Sequence, residues 1–313
     1  MNIIFLGTPL FAAPTLKRLA HTRHQILAVL TQPDRPSGRG MALSPPPVKT
    51  LALELGFTIL QPQKASSPSA LTEIRKLSPD AAVVVAYGQL LTREFLEVPR
   101  FGCINLHPSL LPRYRGASPI QSAILAGDRM TGVTTMLLDD GMDTGPILLQ
   151  REVEITDDDT AGTLHDKLAE AGADLMVETL DAVEYNAVIP RPQEESHASV
   201  TKKIEKADCR IEWGQPAERI RNLARAMDPW PGCWTTLDRT VLKIWKVEVC
   251  DYPKTGAPGR VLSVRDGLVV QAGDGAVRII ELQAPGSRRM TAAEFLRGHV
   301  IKEGMLLGSD LEI

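Results

Sequence analysis

Continuous apolar runs occupy Ile3 to Leu6, Ile26 to Leu30 and Ala81 to Ala86 (AAVVVA). Their length predicts strands buried on both faces. Helical patterns lie between them. VKTLALELG predicts a helix stopped at Gly56, and Ser118-Pro119 ahead of IQSAILAG predicts a capped helix ending at Gly127. Alternating strands and helices imply an α/β architecture with a mostly parallel sheet. A long helical pattern from Thr163 to about Asn186 follows, and IPRPQEES (Ile189 to Ser196) reads as a linker. Beyond it the texture changes. PAERIRNLARAM puts Ile220, Leu223, Ala224 and Met227 on one helix face. The short runs VLKIWKVEV, RVLSV, LVVQA and AVRIIEL, broken at Asp266-Gly267 and Gly273-Asp274-Gly275, predict a small barrel, with an OB type among the candidates. The expected division is residues 1–189, a linker at 190–205, and residues 206–313.

Composition narrows the class. With 313 residues, 43% apolar and 23% charged, the chain is globular and long enough for two cores. The net charge of −3 argues against a nucleic-acid partner until it is divided: residues 1–189 carry −5 and the remainder +2. Four scattered cysteines form no Cys-x-x-Cys pair, which suits a reduced cytosolic setting better than a zinc site or a disulfide framework. NIIFLG lacks the basic flank of a signal peptide and reads as a strand. No apolar run approaches the ~20 residues of a membrane span.

Three segments carry candidate chemistry. In INLHPSLLPRYRGASPIQ (Ile104 to Gln121), a strand from Cys103 to His107 would put Asn105 and His107 on one face, with Pro108 ending the strand. Both side chains would then lie at a strand's carboxyl end, where open α/β sheets bind ligands. Asn supplies a neutral donor for a developing oxyanion, and His a proton carrier near neutral pH. An imidazole packed under a loop fits the same spacing. In LLDDGMDTGP (Leu137 to Pro146), a carboxylate beside His107 would orient the ring and raise its pKa, preparing it as an acid. Gly141 and Gly145 would permit unusual backbone angles and close approach to a ligand. Spacing does not choose among Asp139, Asp140 and Asp143, nor does it exclude a solvated acidic turn. The long connection QPDRPSGRGMALSPPPVK (Gln32 to Lys49) offers Arg35, Arg39 and Lys49 with flexible Gly38 and Gly40, and could close on a phosphate backbone or be a plain surface excursion.

Two further chemistries are disfavoured. NIIFLGTPLFAAPTL has Gly7 but no G-x-G-x-x-G, and Pro9 opposes close approach of a pyrophosphate, so a nicotinamide enzyme is not expected. Cys103 shares the face of Asn105 and His107, yet a small buried core residue is its expected role.

Taken together, FLGTP, TQPDRPSGRG, VVVAYGQLL, INLHPSLLPRYRGASPIQ and DDGMDTGPIL, with DPWPGCW and VLKIWK further on, resemble the methionyl-tRNA formyltransferase family nearly end to end. Tyr114 stands where many relatives carry Trp, and Pro108 where some carry Gly; neither is a reacting group. The resemblance implies a Rossmann-like formyltransferase domain and an OB-like tRNA-binding domain. It assigns Asn105, His107 and Asp143 as the catalytic trio and Asp140 as a folate-pocket neighbour. It places Ser109, Leu110, Leu111 and Pro112 at the folate, with VVVAYGQLL nearby. It also directs the loop bearing Arg35, Arg39 and Lys49 to the acceptor stem of initiator tRNA, with Arg39 the leading contact. The implied co-substrate is 10-formyltetrahydrofolate, with no metal and no covalent formyl-enzyme. In the implied reaction Asn105 and a protonated His107 stabilise the tetrahedral oxyanion, and Asp143 holds His107 and assists proton removal. A cytoplasmic monomer with no membrane partner is expected. Enzymes acting on glycinamide ribonucleotide or an amino sugar nucleotide share the trio, and are the nearest alternative. A tRNA-binding module with a dead transferase domain is a more distant one, opposed by the intact trio.

Overall fold

The three apolar runs form the middle of a seven-stranded sheet. In this computed structural model, which describes residues 1–37, 42–253, 256–265 and 267–309, contacts divide the chain into two units. The first comprises Met1–Pro119, Met130–Glu154 and His165–Thr201. Its strands are β1 (Asn2–Gly7), β2 (Gln25–Leu30), the hairpin β3 (Arg35–Ser37) and β4 (Ala42–Ser44), β5 (Ile59–Leu60), β6 (Ala81–Val85), β7 (Cys103–His107), β8 (Arg115–Gly116), β9 (Met130–Leu137), β10 (Ile147–Glu154) and β11 (Val200–Thr201). The main sheet runs β10-β9-β7-β6-β1-β2-β5. β5, β2, β1, β6 and β7 are parallel, and β9 and β10 add an antiparallel margin. The chain fills the β2 side of β1 first and then crosses to β6 and β7, so the sheet reverses direction beside β1.

In chain order the helices α1 (Ala13–Leu19), α2 (Pro47–Glu54), α3 (Pro68–Leu77), α4 (Arg93–Leu96), α5 (Pro119–Ala126) and α6 (Ala161–Glu184) alternate with these strands, α5 being counted with the second unit, and α2 and α5 stop just short of Gly56 and Gly127 as predicted. One face of the sheet, with Ile4, Leu6, Leu30, Ala82, Val84 and Cys103, packs on Leu71 and Ile74 of α3 and on Phe95 of α4. α6 is tied to β9 by a 2.8 Å hydrogen bond between the Thr179 and Thr135 hydroxyls. Side chains alternate along β7, so Ile104 and Leu106 point away from the face that bears Cys103, Asn105 and His107. That face is core at Cys103 and opens at Asn105, which is half-buried.

The second unit comprises Ile120–Arg129, Ile155–Leu164 and Lys202–Ile313. After α7 (Ala217–Ala226) come β12 (Cys233–Leu237), β13 (Thr240–Cys250), β14 (Val261–Ser263), β15 (Leu268–Gln271), β16 (Ala276–Gln283), β17 (Met290–Thr291) and α8 (Ala292–Gly298). The antiparallel sheet runs β12-β13-β16-β15-β14, with β17 on β16. Its two edges are bridged by residues 304–308, where Val261 N–H donates to the Met305 carbonyl and Gly308 N–H to the Thr236 carbonyl, each at 2.8 Å. This bridging of the two edges supplies the closure that the predicted barrel calls for. Arg225 of α7 donates to the carbonyls of Thr156, Asp157 and Asp159, which gathers residues before the expected linker into this unit. Asp266 of the predicted Asp266-Gly267 turn lies outside the described residues. Among the described residues, no helix is long and apolar enough to cross a membrane.

Candidate active site

β7 delivers Asn105 and His107 to its carboxyl end, as the pattern predicted. Asp143, the carboxylate that the resemblance implied, lies beside the ring, its Oδ2 3.5 Å from His107 Nδ1. His107 Nε2 is 2.9 Å from the Tyr114 carbonyl oxygen. A carbonyl can only accept, so Nε2 carries the proton and the neutral ring turns its Nδ1 lone pair toward the carboxylate. His107 is 4% exposed. Burial pushes its pKa below the ordinary histidine value, against the attraction of Asp143 and the Tyr114 carbonyl. This corrects the sequence expectation of a raised pKa, because the loss of hydration outweighs the neighbouring charge. The resting imidazole is therefore a base, with room for one proton between it and Asp143. Among the described residues, the Asn105 carboxamide has no hydrogen-bond partner.

The three aspartates separate cleanly. Asp139 accepts from the Gly141 N–H at 3.0 Å and the Thr144 hydroxyl at 2.8 Å, capping its own loop. Asp140 is exposed. Asp143 turns inward at φ 56°, the left-handed region. Its Oδ2 accepts from the Gly116 N–H at 2.8 Å, and Gly116, at φ 101°, is where the backbone needs glycine. Gly145 departs from expectation. It has no left-handed φ, and what it admits is not a ligand but the Leu137 carbonyl, which would overlap any Cβ.

The Ser109 to Pro112 turn is secured from within. The buried Ser109 hydroxyl donates to the Arg113 carbonyl at 2.6 Å. Thr134 donates to the Ser109 carbonyl at 2.6 Å and accepts from the Leu111 N–H at 3.1 Å, while Gln150 Nε2 donates to the Leu111 carbonyl at 2.9 Å. Leu111 packs against Met136 and Ile147. Of these four predicted folate residues, only Leu110 and Pro112 keep partly exposed side chains. Cys103 is 1% exposed, and burial pushes its thiol up to about 12, so it is a protonated core residue.

In the predicted basic loop, Arg35 is exposed and donates to Gln32 Oε1 at 3.2 Å. Lys49 is paired, its Nζ lying 2.7 and 2.8 Å from the two carboxylate oxygens of Asp34. Gly38, Arg39 and Gly40 lie outside the described residues. Elsewhere in this unit, His24, Asp181 and Glu184 are close enough to share a cation, but Arg23 pairs with both carboxylates. In the second unit, a groove of about 850 Å³ is lined by Trp230, Trp234, Val241, Lys206 and Lys243.

The supports of the site carry no signal in the sequence. Residues 190–201, read as part of a linker, are bonded to the site. Arg191 exchanges two 2.8 Å backbone bonds with Ile147, and Ser199 accepts from the Arg115 N–H through its carbonyl and from the Tyr114 N–H through its hydroxyl, each at 2.8 Å. Gln193 Nε2 donates to the carbonyls of Asp143 and Gly145, both at 2.8 Å. Its Oε1 accepts from Arg115 Nε at 3.0 Å, and Arg115 forks onto Glu195 at 2.8 and 3.0 Å. A glutamine in a polar, proline-bearing stretch carries no local signal of this role.

Residues 1–180 match the formyl transferase family, and residues 203–300 match the formyl transferase C-terminal domain. The chain is 49% identical over 308 residues to the methionyl-tRNA formyltransferase of Caldanaerobacter subterraneus subsp. tengcongensis, covering 98% of this chain and 100% of that protein. It is also 49% identical over 316 residues to the one of Halothermothrix orenii, covering 98% and 100%. Among solved structures, a sugar 3N-formyl transferase crystallised with dTDP and 5-N-formyl-THF superposes with a TM-score of 0.68 at 18% identity, over 92% of this chain and 99% of that one. At that identity the likeness shows the fold alone.

Proposed function

The chain belongs to the formyl transferase family, and from that premise we propose that it moves the formyl group of 10-formyltetrahydrofolate onto the amino group of methionyl initiator tRNA, giving N-formylmethionyl-tRNA. The observation that carries the acceptor is the end-to-end identity to relatives bearing that activity in their names, across both units. Residues 1–189 are the catalytic domain, 190–205 the connecting segment, and 206–313 the tRNA-binding domain. The enzyme acts in the cytoplasm as a monomer, without a metal or a membrane partner.

The methionine amine arrives as an ammonium and must lose a proton before it attacks. The neutral His107 facing Asp143 is suited to take that proton, since burial keeps the ring uncharged and the carboxylate stabilises the charge once it forms. The amine nitrogen then bonds the formyl carbon, and the carbonyl oxygen becomes an oxyanion. The unpartnered Asn105 carboxamide donates to it, a fixed dipole aimed at charge that develops only in the transition state. The C–N10 bond breaks as the proton held by His107 and Asp143 passes to N10. The new amide sheds its second proton to solvent. Each bond made or broken is thus accounted for without a covalent enzyme intermediate, and the buried Cys103 takes no part.

Leu110, Pro112 and Asp140 meet the folate directly, while Ser109 and Leu111 hold the turn beneath it. Arg35 and Arg39 meet phosphates of the acceptor stem, with Arg39 the leading contact; Lys49 acts through Asp34 by anchoring the base of the loop. The test offers purified protein 10-formyltetrahydrofolate with methionyl initiator tRNA, glycinamide ribonucleotide or an amino sugar nucleotide. Formyl transfer to the tRNA alone is expected; transfer only to another acceptor would overturn the assignment.

A further inference from the structure

The carboxylate that faces His107 is held from two directions. Its Oδ2 is met by the Gly116 N–H on β8, and its own carbonyl is met by Gln193. The two grips are joined through Arg115, which precedes Gly116 in the chain and binds Gln193 through its side chain. Arg115 can only donate, so it fixes the oxygen of the Gln193 amide toward itself and the NH2 group toward the loop. Both N–H groups of that NH2 are then used, one on Asp143 and one on Gly145. Glu195 in turn holds the guanidinium of Arg115, whose side chain is 5% exposed. Asp143 needs such support, because left-handed backbone in a residue other than glycine persists only where its surroundings enforce it.

We propose that Gln193 is a positioning residue for formyl transfer: its two donated hydrogen bonds set the backbone of the Asp143 loop and thereby the place of the Asp143 carboxylate against His107. The proposal rests on the formyl-transfer reading above. It gives residues 190–201 a role in the reaction rather than in connection alone. It also separates Gln193 from a packing residue, because its effect must pass through the Asp143 carboxylate.

Two substitutions distinguish these roles. Gln193→Ala removes the clamp. Gln193→Glu keeps its size and its bond from Arg115, but turns carboxylate oxygen toward two carbonyls, so it retains the fold while losing both donors. Expected for each is a fall in kcat of about 10- to 100-fold, as for a misplacement near 1 Å. KM for 10-formyltetrahydrofolate should stay within about threefold, the split of a residue felt in the transition state. In an Asp143→Ala background, Gln193→Glu should cost nothing further, since the group it places is gone. The proposal is overturned if Gln193→Glu keeps kcat within about twofold. It is equally overturned if the whole loss appears in KM, or if the loss multiplies undiminished in the Asp143→Ala background. Ratios are measured with whichever acceptor the wild-type enzyme formylates, so a wrong tRNA assignment shows in the wild type and leaves this comparison intact.

Discussion

Alanine at Gly145 tests how tightly packing sets the catalytic loop. Gly145 is buried and its φ is not left-handed, so space alone demands the glycine. An added Cβ would fall on the Leu137 carbonyl oxygen and lie 2.9 Å from its carbon and 3.4 Å from the Asp139 nitrogen. A relaxed carbon–oxygen contact needs about 3.3 Å, so the two backbones must part by roughly 1 Å or more. Leu137 is paired with Ile104 of β7 in the sheet, and the loop is therefore the part that yields. Overpacking that moves backbone costs about 1–3 kcal/mol. At about 2–4 °C per kcal/mol for a domain of this size, Tm should fall by about 2–12 °C. Asp143 rides on the same loop, two residues earlier, and kcat should fall by about 100-fold. Thermal unfolding and initial rates at saturating formyl donor give both numbers. Gly298→Ala is the control: no atom lies within 4 Å of its Cβ position, and its stability should change by no more than about 0.5 kcal/mol. A Gly145→Ala enzyme with wild-type Tm and a rate within about twofold would show that packing does not place Asp143.

Other consequences follow from the same geometry. Burial lowers the pKa of both His107 and His24, so the unfolded chain binds protons more readily; their stabilisation is complete above about pH 6.5 and is lost as pH falls from there through each folded-state pKa. Tm should accordingly decline on acidification below that point, and a Tm that rises there would contradict the assigned direction. Asn105→Ala should reduce kcat by about 100- to 1,000-fold with KM for the folate little changed; a loss confined to KM would make Asn105 a binding group instead. Arg35→Ala should raise KM for tRNA and lower the salt slope of tRNA binding by about one, sparing the folate. Lys49→Ala should chiefly lower stability, because Lys49 is matched to Asp34; an effect on the salt slope equal to that of Arg35→Ala would contradict that pairing.

What was legible in the sequence is what repeats. The short apolar run AAVVV suits a strand buried on both faces, and β6 lies between β1 and β7. Parity placed Asn105 and His107 on one face because a strand has period two, and Pro108 closed the strand where the ligand edge begins. The barrel was read from run length and turn chemistry. Its closure was not, because the bridge at 304–308 rests on backbone hydrogen bonds, which leave no side-chain pattern to read. The gathering of Ile155–Leu164 with the second unit was hidden for the same reason, since Arg225 reaches main-chain carbonyls there.

The clustering of the candidate site was legible in its residues, and its charge state was not. Spacing left three aspartates open and the resemblance pointed to Asp143; the tertiary structure supplies the physical reason, since Asp139 caps its own loop, Asp140 is exposed, and β8 draws Asp143 inward through one backbone N–H. A carboxylate taken as the single neighbour of His107 would raise its pKa. Burial is a property of everything around the ring, and here it prevails. The consequence is chemical rather than numerical. An imidazole protonated at rest would repel the incoming ammonium and could take nothing from it. A neutral one, with its Nε2–H spent on Tyr114 and Nδ1 turned to Asp143, can take the proton that blocks attack and return it to the leaving nitrogen. In the proposed reaction, the acid needed at the end is thus made by the base step at its start.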